Sequence, residues 1–444
     1  MSRMFAIALG LVVGFSAVTA ADAASKIQAI TSPGGIKAWL VSEPSVPIVA
    51  LDYAFKGGGN ADPAGRPAVA TMLAALLDEG AGELDARAFQ ERMEEKAIQL
   101  GFSATRDHFR GSMHTLSANL DEAVNLLRLA LTVPRFDEEP VERIRGQLQA
   151  QLVKNSTNPN DIASRRWWAT AFPGHPYGTP GSGTPESLAA ITVDDLKEYV
   201  RNVFARDNLT IGIVGDLDAS TAGKIIDRIF GGLPEKAKLK PVPTATMQGL
   251  GERVVVNLDV PQTIISFGGP GLSRDDPDFI TAFIVNHIYG AGSMSSRLYT
   301  EVREKRGLAY GIRTSLVWME HANIVSGGTA TRGDRAAETL SVIDEEARRM
   351  AAEGPTQEEF DKAKAYLKGS YPIAFDTSAK IAGQLLQIQL DKLGIDYPEK
   401  RSALIDAVTL ADAKRVAKRL LDAKMLTLVV GRAQGLTQGS TKSN

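Results

Sequence analysis

The sequence predicts an α+β protein in which one unit is used twice, and three observations lead there. The first is an internal repeat with a period of about two hundred residues. Ala190-Ile191-Thr192-Val193-Asp194-Asp195 and Ala407-Val408-Thr409-Leu410-Ala411-Asp412 each open a helix with threonine at the N-cap. An apolar strand follows each helix, over 209–214 and 425–430, and each strand ends on glycine, Gly215 and Gly431. The second observation lies upstream. Glu138-Glu139-Pro140-Val141 and Gln357-Glu358-Glu359-Phe360 each start a long helix with acids in the first turn, where the helix dipole favours them. The third is order: strands come before helices in both halves. Residues 48–55 place Val49, Leu51, Tyr53 and Phe55 on one face, and 254–258 and 263–267 fill the same role in the second half.

A chain of 444 residues is long enough for two domains, each with its own core. Residues 24–233 form the first and 250–434 the second. Residues 234–249, with Pro234, Pro241 and Pro243 and no periodicity, read as a linker, and 435–444 as a tail. Charges nearly cancel at a net −2, and no block of like charge offers a nucleic-acid surface. The first 23 residues read as a secretory signal: Arg3, an apolar run over 4–18, and small residues ending at Ala23. Export to a periplasm or its equivalent follows, with no membrane span once the signal is removed; an uncleaved anchor is the alternative, disfavoured because the apolar run is short for a bilayer. There is no cysteine, so an oxidising compartment is neutral for this chain.

In the first half, Gly65-Arg66-Pro67 precedes a helix whose apolar residues Val69, Met72, Leu73, Leu76 and Leu77 follow helical spacing up to Asp78-Glu79-Gly80. The arrangement resembles the zinc helix of pitrilysin-type (insulinase-like) metallopeptidases, whose H-x-x-E-H places two ligands and a general base on adjacent turns. Aligned on Gly80, that motif falls on Thr71-Met72-Leu73-Ala74-Ala75. The family's third ligand, a glutamate on a later helix, falls where this chain reads Gln147-Leu148-Gln149-Ala150-Gln151. Thr71, Ala74 and Ala75 are therefore a degenerate motif. Without the resemblance, the same stretch is an ordinary core helix.

Five histidines, His108, His114, His175, His287 and His321, never fall four apart. His108 and His114 share a strand face and could pair on a metal, though partly exposed strand residues are the simpler reading; His175, in a turn-rich segment, reads as structural. No Ser, His and Asp grouping announces a metal-free hydrolase. Tyr289-Gly290-Ala291-Gly292-Ser293 lacks the phosphate-loop pattern and reads as a helix-to-helix turn.

Residues 295–310, SSRLYTEVREKRGLAY, are similar to the family segment carrying an arginine and a tyrosine seven apart. The resemblance implies that Arg303 and Tyr310 contact substrate at a zinc site in the opposite half of an assembly, with a weaker substrate-binding role for Gly290 and Gly292. Such donors stabilise negative charge growing on a carbonyl oxygen. The competing reading takes 301–306 as a solvated, ion-paired helix face and Tyr310 as a core residue beside Leu308 and Ile312. Met294, Leu298 and Val302 would form the buried stripe of that helix, with Gly307 ending it.

The resemblance covers about 27–434 and implies two tandem homologous domains, each a mainly antiparallel sheet packed with helices, forming half of a clamshell. It further implies a non-catalytic subunit of a heterodimeric zinc peptidase acting on peptides. No cofactor is expected in this chain and zinc is expected in a homologous partner that carries H-x-x-E-H. The alternative is a peptide-binding or scaffold protein that kept the fold and lost proteolysis.

Overall fold

The computed structural model describes residues 27–436 and 439–440, so the expected signal at 1–23 lies outside the described residues. The first sheet contains β1 (Gln28–Thr31), β2 (Lys37–Ser42), β3 (Ile48–Lys56), β4 (Gln99–Ala104), β5 (His108–Leu116) and β6 (Leu209–Gly215), in spatial order β1-β2-β6-β3-β5-β4. The second contains β7 (Glu252–Asn257), β8 (Gln262–Pro270), β9 (Ala309–Trp318), β10 (Asn323–Arg332), β11 (Leu426–Gly431) and β12 (Gly439–Ser440), in order β12-β7-β11-β8-β10-β9.

Superposing the two orders sets β7, β11, β8, β10 and β9 on β2, β6, β3, β5 and β4. Each sheet has one parallel pair, β2 with β6 and β7 with β11, and is otherwise antiparallel. The repeated unit is thus a mixed, mainly antiparallel sheet with helices on its faces. Both repeat-closing helices, Val193–Val203 and Leu410–Leu421, begin with a full capping box: Thr192 with Asp195, and Thr409 with Asp412. Each reciprocal pair satisfies two backbone donors that the first turn would otherwise leave open.

Val49, Leu51, Tyr53 and Phe55 are buried against the first-half helices as alternation requires. Ala50 and Ala54, on the other face of β3, are buried as well. The reason is an exchange between the halves. Helix Ser378–Leu390, which belongs to the second half by sequence, lies across β3 and β6, where Ala382 and Leu385 pack with Ala50, Val41 and Val214. Helix Pro159–Ala171 of the first half lies in turn on β8 and β11: Ala163 meets Ile264 and Val430, and the Trp167 indole donates to the Leu426 carbonyl at 3.4 Å.

Glycine makes both approaches possible. A Cβ on Gly212 of β6 would stand 2.7 Å from the Ala382 carbonyl oxygen, and one on Gly268 of β8 would stand 2.6 Å from the Trp167 ring. Burying leucine-sized side chains such as Leu385 at these seams contributes about 1.5–3 kcal/mol each.

Residues 234–249 contain no helix or strand, but they are tied down: Ala245 N–H donates to the His321 carbonyl at 2.7 Å, Gln248 N–H to Ala171 at 2.8 Å, and Met247 is buried. A polar cluster completes the seam. The Tyr177 hydroxyl donates to Asp107 at 2.6 Å and accepts from His321 N–H at 3.0 Å, and Glu320 stands 3.4 Å from His108 and 3.3 Å from Lys56. Among the described residues no helix is long and apolar enough to cross a membrane.

Candidate functional site

Two places carry the residues singled out in the sequence, and the chain does not bring them into one cavity. The first is helix Val69–Ala74. Its apolar stripe is buried as expected, Leu76 and Leu77 continuing it in the turns beyond the helix. Asp62 anchors its start by accepting from the N–H groups of Ala68 and Ala70, both at 2.8 Å. The Thr71 hydroxyl donates to the Gly181 carbonyl at 2.7 Å and so pins the helix to the loop that borders a cavity of about 720 Å³.

Ala74 is buried and Ala75 half-buried, and Glu79 is engaged by Arg143 at 2.5 Å on the neighbouring helix Glu138–Ser156. A zinc ion requires imidazole, thiolate or carboxylate donors. One hydroxyl already hydrogen-bonded and two methyl groups do not fit it, and among the described residues no three His, Cys, Asp or Glu side chains are grouped to hold a metal.

Burial lifts the Asp62 carboxyl to about 7 despite the backbone N–H groups that favour its charged form. A folded value above the unfolded one near 4 makes its contribution to stability full below pH 4 and lost as pH rises through 7. Thermal unfolding from pH 4 to 8 checks this: the midpoint of the natural protein falls relative to that of Asp62→Asn over pH 5–7, whatever the absolute cost of the substitution.

The second place is the 290–313 segment. Gly290 is buried, and a Cβ there would stand 2.5 Å from the Thr314 hydroxyl, so the residue admits β9 to the turn His287–Ala291. Gly292 is half-buried, where a Cβ would meet the His287 carbonyl at 2.7 Å. Met294 departs from the expected stripe. The Ser296 hydroxyl caps the helix, which therefore starts only at Arg297; Met294 precedes it and is 70% exposed. Leu298 and Val302 alone carry the buried stripe.

From Thr300 to Glu304 the helix widens into a π-type turn, closed by Lys305 N–H to Thr300 C=O at 3.0 Å, and Gly307 at φ 59° ends it. Glu301 is buried and bound by Lys305 at 2.8 Å, Arg306 at 2.6 Å and Arg349 at 3.1 Å. Although burial acts to raise it, these three cations hold its carboxyl at about 2. Arg297 extends the network, gripping Glu359 with two contacts of 2.6 Å and reaching Glu346 and the Gly354 carbonyl.

An ion-paired helix face therefore exists, but Arg303 is outside it. Its guanidinium lies 4.8 Å over the ring of Tyr310, and among the described residues it has no ion pair. Nor is Tyr310 a core residue. It is 85% exposed, whereas Leu308 and Ile312 are buried. Ile312 pairs with Thr329 but Ala309 with Thr331, so β9 has one residue more than β10 between these pairs. This bulge turns Tyr310 out of the alternation that would have buried it, a device by which strands re-aim a side chain.

The histidines have structural positions. His108 and His114 lie six residues apart on β5, roughly 20 Å along the strand, too far to share a metal. His175 accepts from Tyr177 N–H at 3.1 Å and faces the Pro243 carbonyl at 3.0 Å, capping a turn. The Trp167 and Asp62 anchors were not singled out in the sequence; a helix-start signal at Asp62 is absent because it acts from six residues upstream of Ala68.

Residues 190–367 match the family described as peptidase M16 inactive domain. The crystal structure of a peptidase M16 inactive domain from Pseudomonas fluorescens is 28% identical and superposes with a TM-score of 0.86, covering 93% of this chain and 99% of that one. A non-peptidase homolog, YmxG, from Helicobacter pylori is 27% identical over 333 residues, 75% of this chain and 77% of its own length. An uncharacterized zinc protease of Streptomyces coelicolor is 24% identical over 415 residues, 91% of this chain and 89% of its own length. With this fold, these relatives and no H-x-x-E-H in its sequence, the chain resembles the pitrilysin-type (peptidase M16) proteins described as inactive, and the family match itself covers its residues 190–367.

Proposed function

We propose that this chain is the non-catalytic subunit of an exported, periplasmic heterodimeric zinc peptidase, and that it lends Arg303 and Tyr310 to a homologous partner carrying H-x-x-E-H. The observation that carries the reading is the outward pair itself. A tyrosine 85% exposed, re-aimed by a bulge and stacked with an arginine from a capped and ion-paired segment, is held ready for a group outside the chain. Zinc in the partner supplies the Lewis acid for peptide hydrolysis. Arg303 and Tyr310 supply N–H and O–H donors toward the carbonyl oxygen on which charge develops, and their fixed placement avoids reorganisation during the reaction.

A second reading, a peptide-binding or scaffold protein without proteolysis, is favoured by the Helicobacter pylori relative described as a non-peptidase homolog. Co-purification from the native cell, metal analysis of each chain and peptide cleavage by the separate and mixed chains decide between them. The expected result is one zinc per partner, none in this chain, and cleavage only by the mixture. Zinc held stoichiometrically by this chain with cleavage to match overturns the proposal; a stable pair that cleaves nothing moves it to the scaffold reading.

A further inference from the structure

We infer that Arg313 makes the Arg303–Tyr310 site selective for extended peptides bearing an acidic side chain. This rests on the subunit role proposed above and names the class of substrate that the site takes. Beside Tyr310 runs a trough of about 500 Å³ on the sheet surface next to edge strand β9, walled by Gln262, Tyr310 and Arg313. Gly311, Ile312, Gly328 and Ala330 complete its lining. Gly328 is the cross-strand partner of Arg313, so no side chain opposes the guanidinium across the ladder.

Arg313 is exposed and, like Arg303, has no ion pair among the described residues. Neutralisation is missing among the described residues for an identifiable reason. Glu301 is already saturated by Lys305, Arg306 and Arg349, and no carboxylate lines the trough. One guanidinium, that of Arg303, therefore lies over the exposed Tyr310 ring and a second, that of Arg313, lines the same trough as Tyr310, neither with an ion pair among the described residues. Arginine presents a planar fork suited to a carboxylate, and charge complementarity of this kind fixes which peptide is accepted and in which register.

The experiment uses the full chain and three fluorescein-labelled ten-residue peptides identical except for Glu, Gln or Lys at a central position. Fluorescence anisotropy is expected to give the Glu peptide about fivefold tighter binding than the Gln peptide, with Lys weakest, as suits exposed pairs of this kind. The difference shrinks in 0.5 M salt. Arg313→Gln abolishes the difference between the Glu and Gln peptides.

Equal binding of the Glu and Gln peptides, a preference that survives Arg313→Gln, or failure of all three to bind overturns the inference. Turnover of the mixed subunits separates this from the subunit role. Turnover that depends on Arg303 with no acidic preference removes the selectivity alone, and an Arg313-dependent preference with turnover indifferent to Arg303 removes the subunit role alone.

Discussion

Replacing Arg303 by alanine is expected to lower turnover by the reconstituted pair about a hundredfold to a thousandfold, the cost of losing one preorganised donor to a developing oxyanion. Assembly should be unaffected, because among the described residues the Arg303 side chain makes no ion pair or hydrogen bond and stacks on Tyr310. Tyr310→Phe keeps that ring and removes only the O–H, so it isolates the hydrogen bond from the stacking. The two residues touch, and the double variant should therefore cost less than the sum of the single ones. Steady-state kinetics with a fixed peptide, alongside sedimentation of the pair, reads both quantities. Unchanged turnover in both single variants would remove the proposed role.

Arg297→Met is expected to be the most damaging single change to stability in this part of the molecule. The Arg297 side chain is 10% exposed and that of Glu346 3%. Removing the cation leaves Glu359 and Glu346 with far less compensation, and breaking a buried, hydrogen-bonded pair costs about 3–5 kcal/mol. Against the effect of burial, the Arg297 guanidinium keeps Glu359 below the usual carboxylate range; burial keeps Glu346 above it, although Arg349 also contacts that residue. Urea unfolding should show the midpoint fall without a change of slope. Since Arg297 precedes Arg303 on the same short helix, the variant should also blunt turnover in assemblies that still form. A midpoint within error of the natural protein's would show that the network is dispensable.

The repeat was legible because its closing helices and strands are local objects. Thr192 and Thr409 cap their own helices, and the strands that follow are continuous apolar runs, so each signal sits within a dozen residues of its cause. Arg303 and Tyr310 were legible as a pair only through resemblance. Alternation predicts a buried Tyr310, and nothing in Leu308-Ala309-Tyr310-Gly311-Ile312 announces a bulge that depends on pairing with Thr329 and Thr331 of β10. Met294 was misplaced for a related reason: helical spacing extends through it, but the Ser296 cap begins the helix after it.

The exchange of helices Pro159–Ala171 and Ser378–Leu390 left no trace in periodicity, because their apolar residues are matched to glycines and alanines more than a hundred residues away. Short edge strands such as β1 and β12 carry too few residues for any pattern to register.

That exchange has a mechanical meaning. Each sheet borrows its roof from the other half, so neither half has a finished exterior by itself, and prising them apart would strip oily surfaces from both at once. The chain is accordingly expected to move as a single plate. In the proposed two-chain assembly, whatever breathing admits a peptide then belongs to the joint between the chains, where Tyr310 would travel with the entire wall that bears it.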